Sequence, residues 1–202
     1  MYINHTRYTM SIKTKMHELK KELLLKEASI LFEDIGYEHM KVADLAKIAG
    51  VSIGTIYSMF GSKEGLYLAY IEHQIANFFE ELQSRDSAET KAKDKIHSFI
   101  ELKFGYYYQK KKAIEQNATN NLLFFHTLYK EHANPFHKVY IYLAECFMQL
   151  NPKLDNEEAM RMAFAINGLS DGYITRWLEL DDDLLKRVDE VSRLSVLMVQ
   201  GY

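Results

Sequence analysis

The chain has 202 residues, 48% of them apolar, enough for one or two domains with real cores. Only two prolines interrupt it, and no apolar run approaches the ~20 residues that span a bilayer, so a helical protein without a membrane span is expected. The single cysteine, Cys146, excludes an intrachain disulfide and any multi-cysteine metal site, and a formal charge of −3 argues at first sight against nucleic acid.

That charge is unevenly spread. Before residue 22 stand Arg7, Lys13, Lys15, Lys20 and Lys21 against Glu18 alone, whereas Asp181-Asp182-Asp183 lies far downstream. A basic face on an acidic body satisfies phosphate binding, which responds to the local field. The N-terminal lysines form either a solvated arm or one that touches a minor groove or DNA backbone. Met1 to Met16 lacks an apolar signal region, so the expected compartment is the cytoplasm, with no membrane partner.

Taken in chain order, a first helix runs through Leu23–Phe32 and closes at Ile35-Gly36-Tyr37, and a second covers Val42–Ala49. Ala49-Gly50-Val51-Ser52 then reads as a tight turn, with Gly50 at positive φ and Ser52 capping the next helix. That helix is short and presents Thr55, Tyr57 and Ser58 beside Ile56 and Phe60. Gly61-Ser62 stops it and starts another helix, which opens with Lys63-Glu64. Helix, turn and short exposed helix make a helix-turn-helix, whose second helix lies in the major groove.

With these motifs, residues 17–66 resemble the N-terminal domain of the TetR/AcrR family of bacterial one-component repressors, over about a quarter of the chain. The string Gly-Val-Ser-Ile-Gly-Thr-Ile-Tyr-Ser-Met-Phe-Gly-Ser-Lys-Glu-Gly-Leu over 50–66 carries the likeness most specifically. Two positions depart from the family pattern. Lys41 stands where Thr commonly opens a capping box with the residue at Asp44, and Met59 stands where His or Tyr commonly precedes the final Phe. The resemblance implies a DNA-binding set of Lys41, Ser52, Ile53, Thr55, Tyr57, Ser58, Met59 and Lys63. Within it Tyr57 and Lys63 are expected on phosphates, and Ile53 or Met59 on a thymine methyl.

Beyond Leu66 the chain reads as amphipathic helices: Tyr67 to about Ser84, Lys91 to about Lys111, Asn117–Lys130, a segment from Pro135 to about Leu150, and Glu157–Leu180. Asp181-Asp182-Asp183 is expected to turn the chain and cap a last helix carrying Leu184, Val188, Val191, Ser195 and Met198. The alternatives for this seam, and for the small residues Ala163, Gly168, Ser170 and Gly172, are packing within one subunit or a four-helix dimer interface. The resemblance favours the interface, expected at Ala163, Ser170, Ile174, Trp177, Val188, Val191, Ser195 and Met198.

The central helices are rich in aromatic residues, which pack a core or line an effector pocket. Such a pocket is expected at Phe104, Tyr107, Asn121, Phe125, Tyr129, Tyr140, Phe147 and Asn167, for an apolar or aromatic ligand, because no cluster of buried charge is evident. Cys146 reads as a buried inert thiol. His126, His132 and His137 lack metal-ligand spacing, so neither a metal nor a cofactor is expected. No nucleophile elbow, P-loop or dinucleotide fingerprint points to an enzyme.

The expected protein is therefore all-α, with a three-helix helix-turn-helix domain (1–66) and a helical effector-binding and dimerisation domain (67–202). Its expected partners are a palindromic double-stranded DNA operator, a second copy of itself and a small effector that releases it. The alternative is an architectural or nucleoid-associated DNA-binding dimer without a ligand.

Overall fold

The computed structural model describes residues 11–111, 114, 136–180 and 182–201. Among the described residues all regular structure is helical: α1 (Ile12–His39), α2 (Val42–Ile48), α3 (Ile53–Phe60), α4 (Lys63–Ser84), α5 (Ala92–Gln109), α6 (His137–Leu150), α7 (Asn156–Leu180), a 3-10 turn (Leu185–Arg187) and α8 (Val188–Gln200). The expected Asn117–Lys130 helix, the Asn134-Pro135 break and Asp181 lie outside the described residues. The chain divides into two compact units between Tyr70 and Ile71, inside α4 and a few residues past Leu66.

In the first unit, α1 starts well before Leu23. Ser11 caps it, its Oγ accepting from the Thr14 N–H at 3.2 Å. Its inner face buries Leu24, Leu25, Ala28 and Phe32, and it kinks at Gly36. α2 begins at Lys41 without a side-chain cap, as the missing capping box requires. α3 is only eight residues long, too short to hold itself together in water. Three constraints hold it. Ile56 and Phe60 are buried beneath it, Ser52 Oγ accepts from the Thr55 N–H at 3.1 Å, and the Gly61 N–H closes its last turn on the Tyr57 carbonyl at 2.8 Å.

The junction from α3 to α4 leaves no room. Gly61 has φ 76, a left-handed conformation that strains any L side chain. At Gly65 a Cβ would collide with the Phe60 backbone carbonyl oxygen. Ser62 Oγ meanwhile accepts from the Gly65 N–H at 3.0 Å, capping α4. Beneath this junction Phe32, Tyr37, Tyr67 and Tyr70 cluster, with ring centroids 4.8 Å apart for Tyr37–Tyr67 and 5.0 Å for Phe32–Tyr67.

The second unit surrounds a core of Ile96, Phe99, Ile100 and Phe104 from α5, Leu143 and Phe147 from α6, Ala163, Ile166 and Trp177 from α7, and Val191 and Val199 from α8. α7 opens with a reciprocal capping box: the Glu158 N–H reaches Asp155 Oδ1 at 2.8 Å and the Asp155 N–H reaches Glu158 Oε2 at 3.0 Å. Asn151 Nδ2 donates to the Val199 carbonyl at 2.9 Å, tying the α6–α7 turn to the end of α8. The acidic turn does not cap the last helix directly. Asp183 Oδ1 accepts from the Lys186 N–H inside the 3-10 turn, Asp182 pairs with Arg187, and α8 starts only at Val188.

Gly65→Ala should destabilise the protein by about 1–3 kcal/mol, the range for overpacking. Gly61→Ala, whose Cβ meets open space, should cost only the φ strain of about 1–2 kcal/mol. Urea midpoints by circular dichroism test this; an unchanged midpoint for Gly65→Ala would show that the junction yields.

Candidate nucleic-acid interface and effector region

Burial of Ile56 and Phe60 sets the rotation of α3, and that rotation decides what it shows to solvent. Ile53 and Tyr57, one turn apart, are 44% and 45% exposed, and Ser58 is exposed beside them. The Ser58 hydroxyl is turned back, donating to the Thr55 carbonyl at 2.8 Å. Ser52 and Thr55 are engaged in the cap, their hydroxyl oxygens 2.9 Å apart, and Met59 is half-buried. Lys41 is exposed at the start of α2 and Lys47 at its end; Lys47 was not among the expected contacts.

Lys63 has partners within its own unit. Its ammonium donates to the Glu38 carbonyl at 3.3 Å and lies 4.6 Å from the Tyr37 ring centroid, so the side chain staples α4 back onto the end of α1. Tyr37 in turn donates to Glu64 Oε1 at 3.1 Å. Burial, with the neighbouring Glu64 carboxylate, pushes the Tyr37 phenol up to about 12. No pattern in the sequence signals this staple, because its members are some 25 residues apart.

The second unit holds a charged cluster where none was expected, built on the buried Lys103 with Asp171 half-exposed. Lys103, on the inner face of α5, donates to Asp171 Oδ1 at 2.6 Å, Asn167 Oδ1 at 2.8 Å and Ser170 Oγ at 2.8 Å, all from α7. These three bonds use every proton of the ammonium. The acceptors are themselves connected: Asn167 Nδ2 donates to Asp171 Oδ2 at 2.9 Å, and Ser170 Oγ to the Asn167 carbonyl at 2.7 Å. Burial pulls the Lys103 ammonium down, and the Asp171 charge opposes that pull. A lysine four residues after Phe99 and four before Tyr107, on the apolar stripe of α5, was the legible sign of this cluster.

Of the expected effector residues, Tyr107, Tyr140 and Asn167 converge on this cluster. Burial and then the Asp171 charge push the Tyr107 phenol up to about 12, and the same two causes raise Tyr140. The Tyr140 ring lies 4.1 Å from that of the exposed Phe164. Phe104 and Phe147 instead sit in the core with no exposure. Asn121, Phe125 and Tyr129 lie outside the described residues. A groove of about 1020 Å³ runs elsewhere, between α4, α5 and the start of α8, and contains none of the expected residues. Its basic side chains face carboxylates already: Arg85 bridges Glu81 and Glu101, and His97 meets Asp189 at 3.1 Å.

The expected dimer seam lies mostly inside the second unit's own core. Ala163, Ser170, Ile174, Trp177, Val188, Val191 and Ser195 are all buried within one chain, and of that set only Met198 is exposed. Ser192 and Ser195 satisfy their hydroxyls on the carbonyls of Val188 and Val191 in their own helix. The small residues still exposed on α7 are Ala165, Gly168 and Gly172, and a Cβ at either glycine would meet open space. Cys146 is buried, which pushes its thiol up to about 12. Among the described residues no group of three or more His, Cys, Asp or Glu could hold a metal, and His126 and His132 lie outside them.

A helix-turn-helix unit followed by a separate, larger helical unit is the architecture of a bacterial one-component transcriptional regulator. Residues 24–70 match the model of bacterial regulatory proteins of the tetR family, so the first domain is of the TetR type. Over 113 residues it is 26% identical to the nucleoid occlusion factor SlmA of Mannheimia succiniciproducens, covering 56% of this chain and 52% of that one. Over 69 residues it is 32% identical to the fatty acid metabolism regulator protein of Bacillus subtilis, covering 34% and 36%. The matches therefore span about half the length of these curated relatives or less. The fold extends further: the crystal structure of the transcriptional regulator FadR from Bacillus subtilis in complex with stearoyl-CoA superposes with TM-score 0.66 at 22% identity, over 87% of this chain and 97% of that one.

Two outcomes follow for the polar cluster. Asp171→Ala, which strands the buried ammonium, should cost about 3 kcal/mol. The double variant Lys103→Met with Asp171→Leu should recover most of that loss; equal urea midpoints for wild type and Asp171→Ala would refute the role of the pair. The raised phenols set a pH dependence. The native state keeps protons that the unfolded chain releases above pH 10, so this stability is complete below pH 10 and is lost as pH rises through about 12. Tyr107→Phe should flatten that loss in urea titrations at pH 9 and pH 11.

Proposed function

We propose that the protein is a dimeric, ligand-responsive repressor that occupies a palindromic operator until an acyl-CoA thioester releases it. The observation that carries the DNA-binding half is the exposure of Ile53, Tyr57 and Ser58 on a helix whose other face is locked into a core. In this reading Ile53 meets a thymine methyl, Tyr57 and Ser58 meet base edges or flanking phosphates, and Lys41 and Lys47 bind phosphates on either side. Ser52 and Thr55 act through the cap that begins the helix, and Lys63 through its staple to Tyr37 and Glu38.

Two recognition helices about 34–36 Å apart, or a multiple of that, require a dimer. The strip of Ala165, Gly168 and Gly172, with Leu197 and Met198 exposed on α8, is the proposed seam, because open glycines allow close approach of a second backbone. The effector is proposed to lie against Tyr107, Tyr140 and Asn167 beside Lys103, with Asn121, Phe125 and Tyr129 as its further expected contacts. Its acyl-CoA class is supported by the fold shared with a FadR that holds stearoyl-CoA and by the fatty acid metabolism regulator among the relatives. To release DNA it must bind the form incompatible with the operator more tightly than the competent one.

The relation to a nucleoid occlusion factor favours a second reading, an architectural DNA-binding dimer without an effector. One experiment separates the two. Purified protein is titrated onto DNA from upstream of its own gene, across several salt concentrations and with scrambled competitor, with and without lauroyl-CoA or stearoyl-CoA. Competitor-resistant binding by two protomers per site or a multiple, reversed by acyl-CoA, is expected. Lys41→Ala should weaken binding to all sequences and flatten the salt slope by about one. Binding that acyl-CoA leaves unchanged, together with many dispersed genomic sites, would instead establish the architectural role.

A further inference from the structure

The groove between α4, α5 and the start of α8 has no part in either half of the proposed function, and all of its lining belongs to the second unit. Its floor is apolar, with Leu102 and Val188 buried and Phe78 half-buried. Along α5 the row His97, Glu101, Gly105 and Gln109 recurs every fourth residue and lines the groove. Gly105 is the gap in that row. Glycine inside a helix is destabilising, and here neither a positive φ nor a close neighbour calls for it. A Cβ at this position would meet nothing within 4 Å, so the missing side chain opens the groove and relieves no packing.

The charges at one end decide what the groove can take. Arg85 divides its guanidinium between Glu81 on α4 and Glu101 on α5, each at 2.9 Å, and His97 meets Asp189 at 3.1 Å. The Lys186 ammonium is held by Asp183, outside the lining, at 2.8 Å. Glu81 Oε2, Glu101 Oε1 and Asp189 Oδ2 are left without a hydrogen bond among the described residues. An anion would therefore meet no basic group that is not already engaged by a carboxylate. Three carboxylates against one guanidinium and one imidazole draw a cation instead. They do not converge on a point: among the described residues no group of three or more His, Cys, Asp or Glu could hold one metal ion. Separated acceptors above an apolar floor suit cationic centres that are themselves separated by methylene runs.

We infer that this groove binds a linear aliphatic polyamine. Its ammonium groups donate to the free oxygens of Glu81, Glu101 and Asp189 and, further along α5, to the Gln109 amide oxygen, while its methylenes lie on Phe78, Leu102 and Val188. The site shares no residue with the Lys103 cluster, so it is independent of the acyl-CoA reading.

Isothermal titration calorimetry of the full chain with spermidine, at low and moderate salt, is the test. Expected is one saturable site per chain that weakens as salt rises. Gly105→Leu, which fills the groove and leaves every charge in place, should weaken binding at least tenfold. Glu101→Gln with Asp189→Asn, which keeps the volume and removes two charges, should do the same. A melting temperature that does not fall verifies that both variants fold. Equal affinity of wild type and Gly105→Leu would overturn the proposal, making spermidine a diffuse counterion of a chain whose formal charge is −3. The absence of saturable binding would overturn it too, as would displacement of spermidine by equimolar Mg²⁺. Tighter binding of dodecyltrimethylammonium, with one charge on a long apolar chain, would assign the groove to an amphiphile and reject the polyamine.

Discussion

The DNA-facing geometry depends on a constraint at the base of an eight-residue helix. α3 has too few hydrogen bonds to persist alone, so its existence and its rotation come from what lies under and beside it. Ile56 and Phe60 fix which side faces in, the Ser52–Thr55 cap fixes where the helix starts, and the missing Cβ of Gly65 lets α4 pass against the Phe60 carbonyl. Lys63, held between the Tyr37 ring and the Glu38 carbonyl, joins the start of α4 to the end of α1. Once these are set, the exposure of Ile53, Tyr57 and Ser58 follows by rotation alone.

The second unit is governed by different chemistry. Three donors of one ammonium, aimed at three side chains of α7, crosslink α5 to α7 through a region otherwise sealed by aromatic and aliphatic groups. Such a cluster contributes less to stability than an apolar core of equal volume, yet losing one member leaves a buried charge uncompensated. It therefore selects one register of α5 on α7 and penalises others. It also places a charged point beside Tyr107 and Tyr140 in an otherwise apolar region.

The first unit was legible because its signals are local. A positive-φ glycine, a serine cap and a buried apolar pair four residues apart act within a turn or two of chain, so the residue order states them directly. The second unit was legible in its helices and less so in its partners. The spacing of Val188, Val191 and Ser195 establishes that α8 has an inner face, and it is silent on which chain covers that face. Here α5, α6 and α7 of the same chain cover it, which moves the available small-residue surface to Gly168 and Gly172. The aromatic stripe is silent in the same way: its spacing places Phe104 and Phe147 on an inner face, where they fill the core, and does not state that Lys103 on that face meets α7.

By itself the sequence determined the all-helical class, the turn between α2 and α3, and the family of the first domain, since each rests on interactions between residues close along the chain. The tertiary structure decided which hydroxyls α3 spends on its own cap, that Lys63 is a staple, and that Lys103 lies buried against Asp171. These are outcomes of packing between segments tens of residues apart, where a side chain's surroundings depend on the path of the whole chain and no local pattern encodes them.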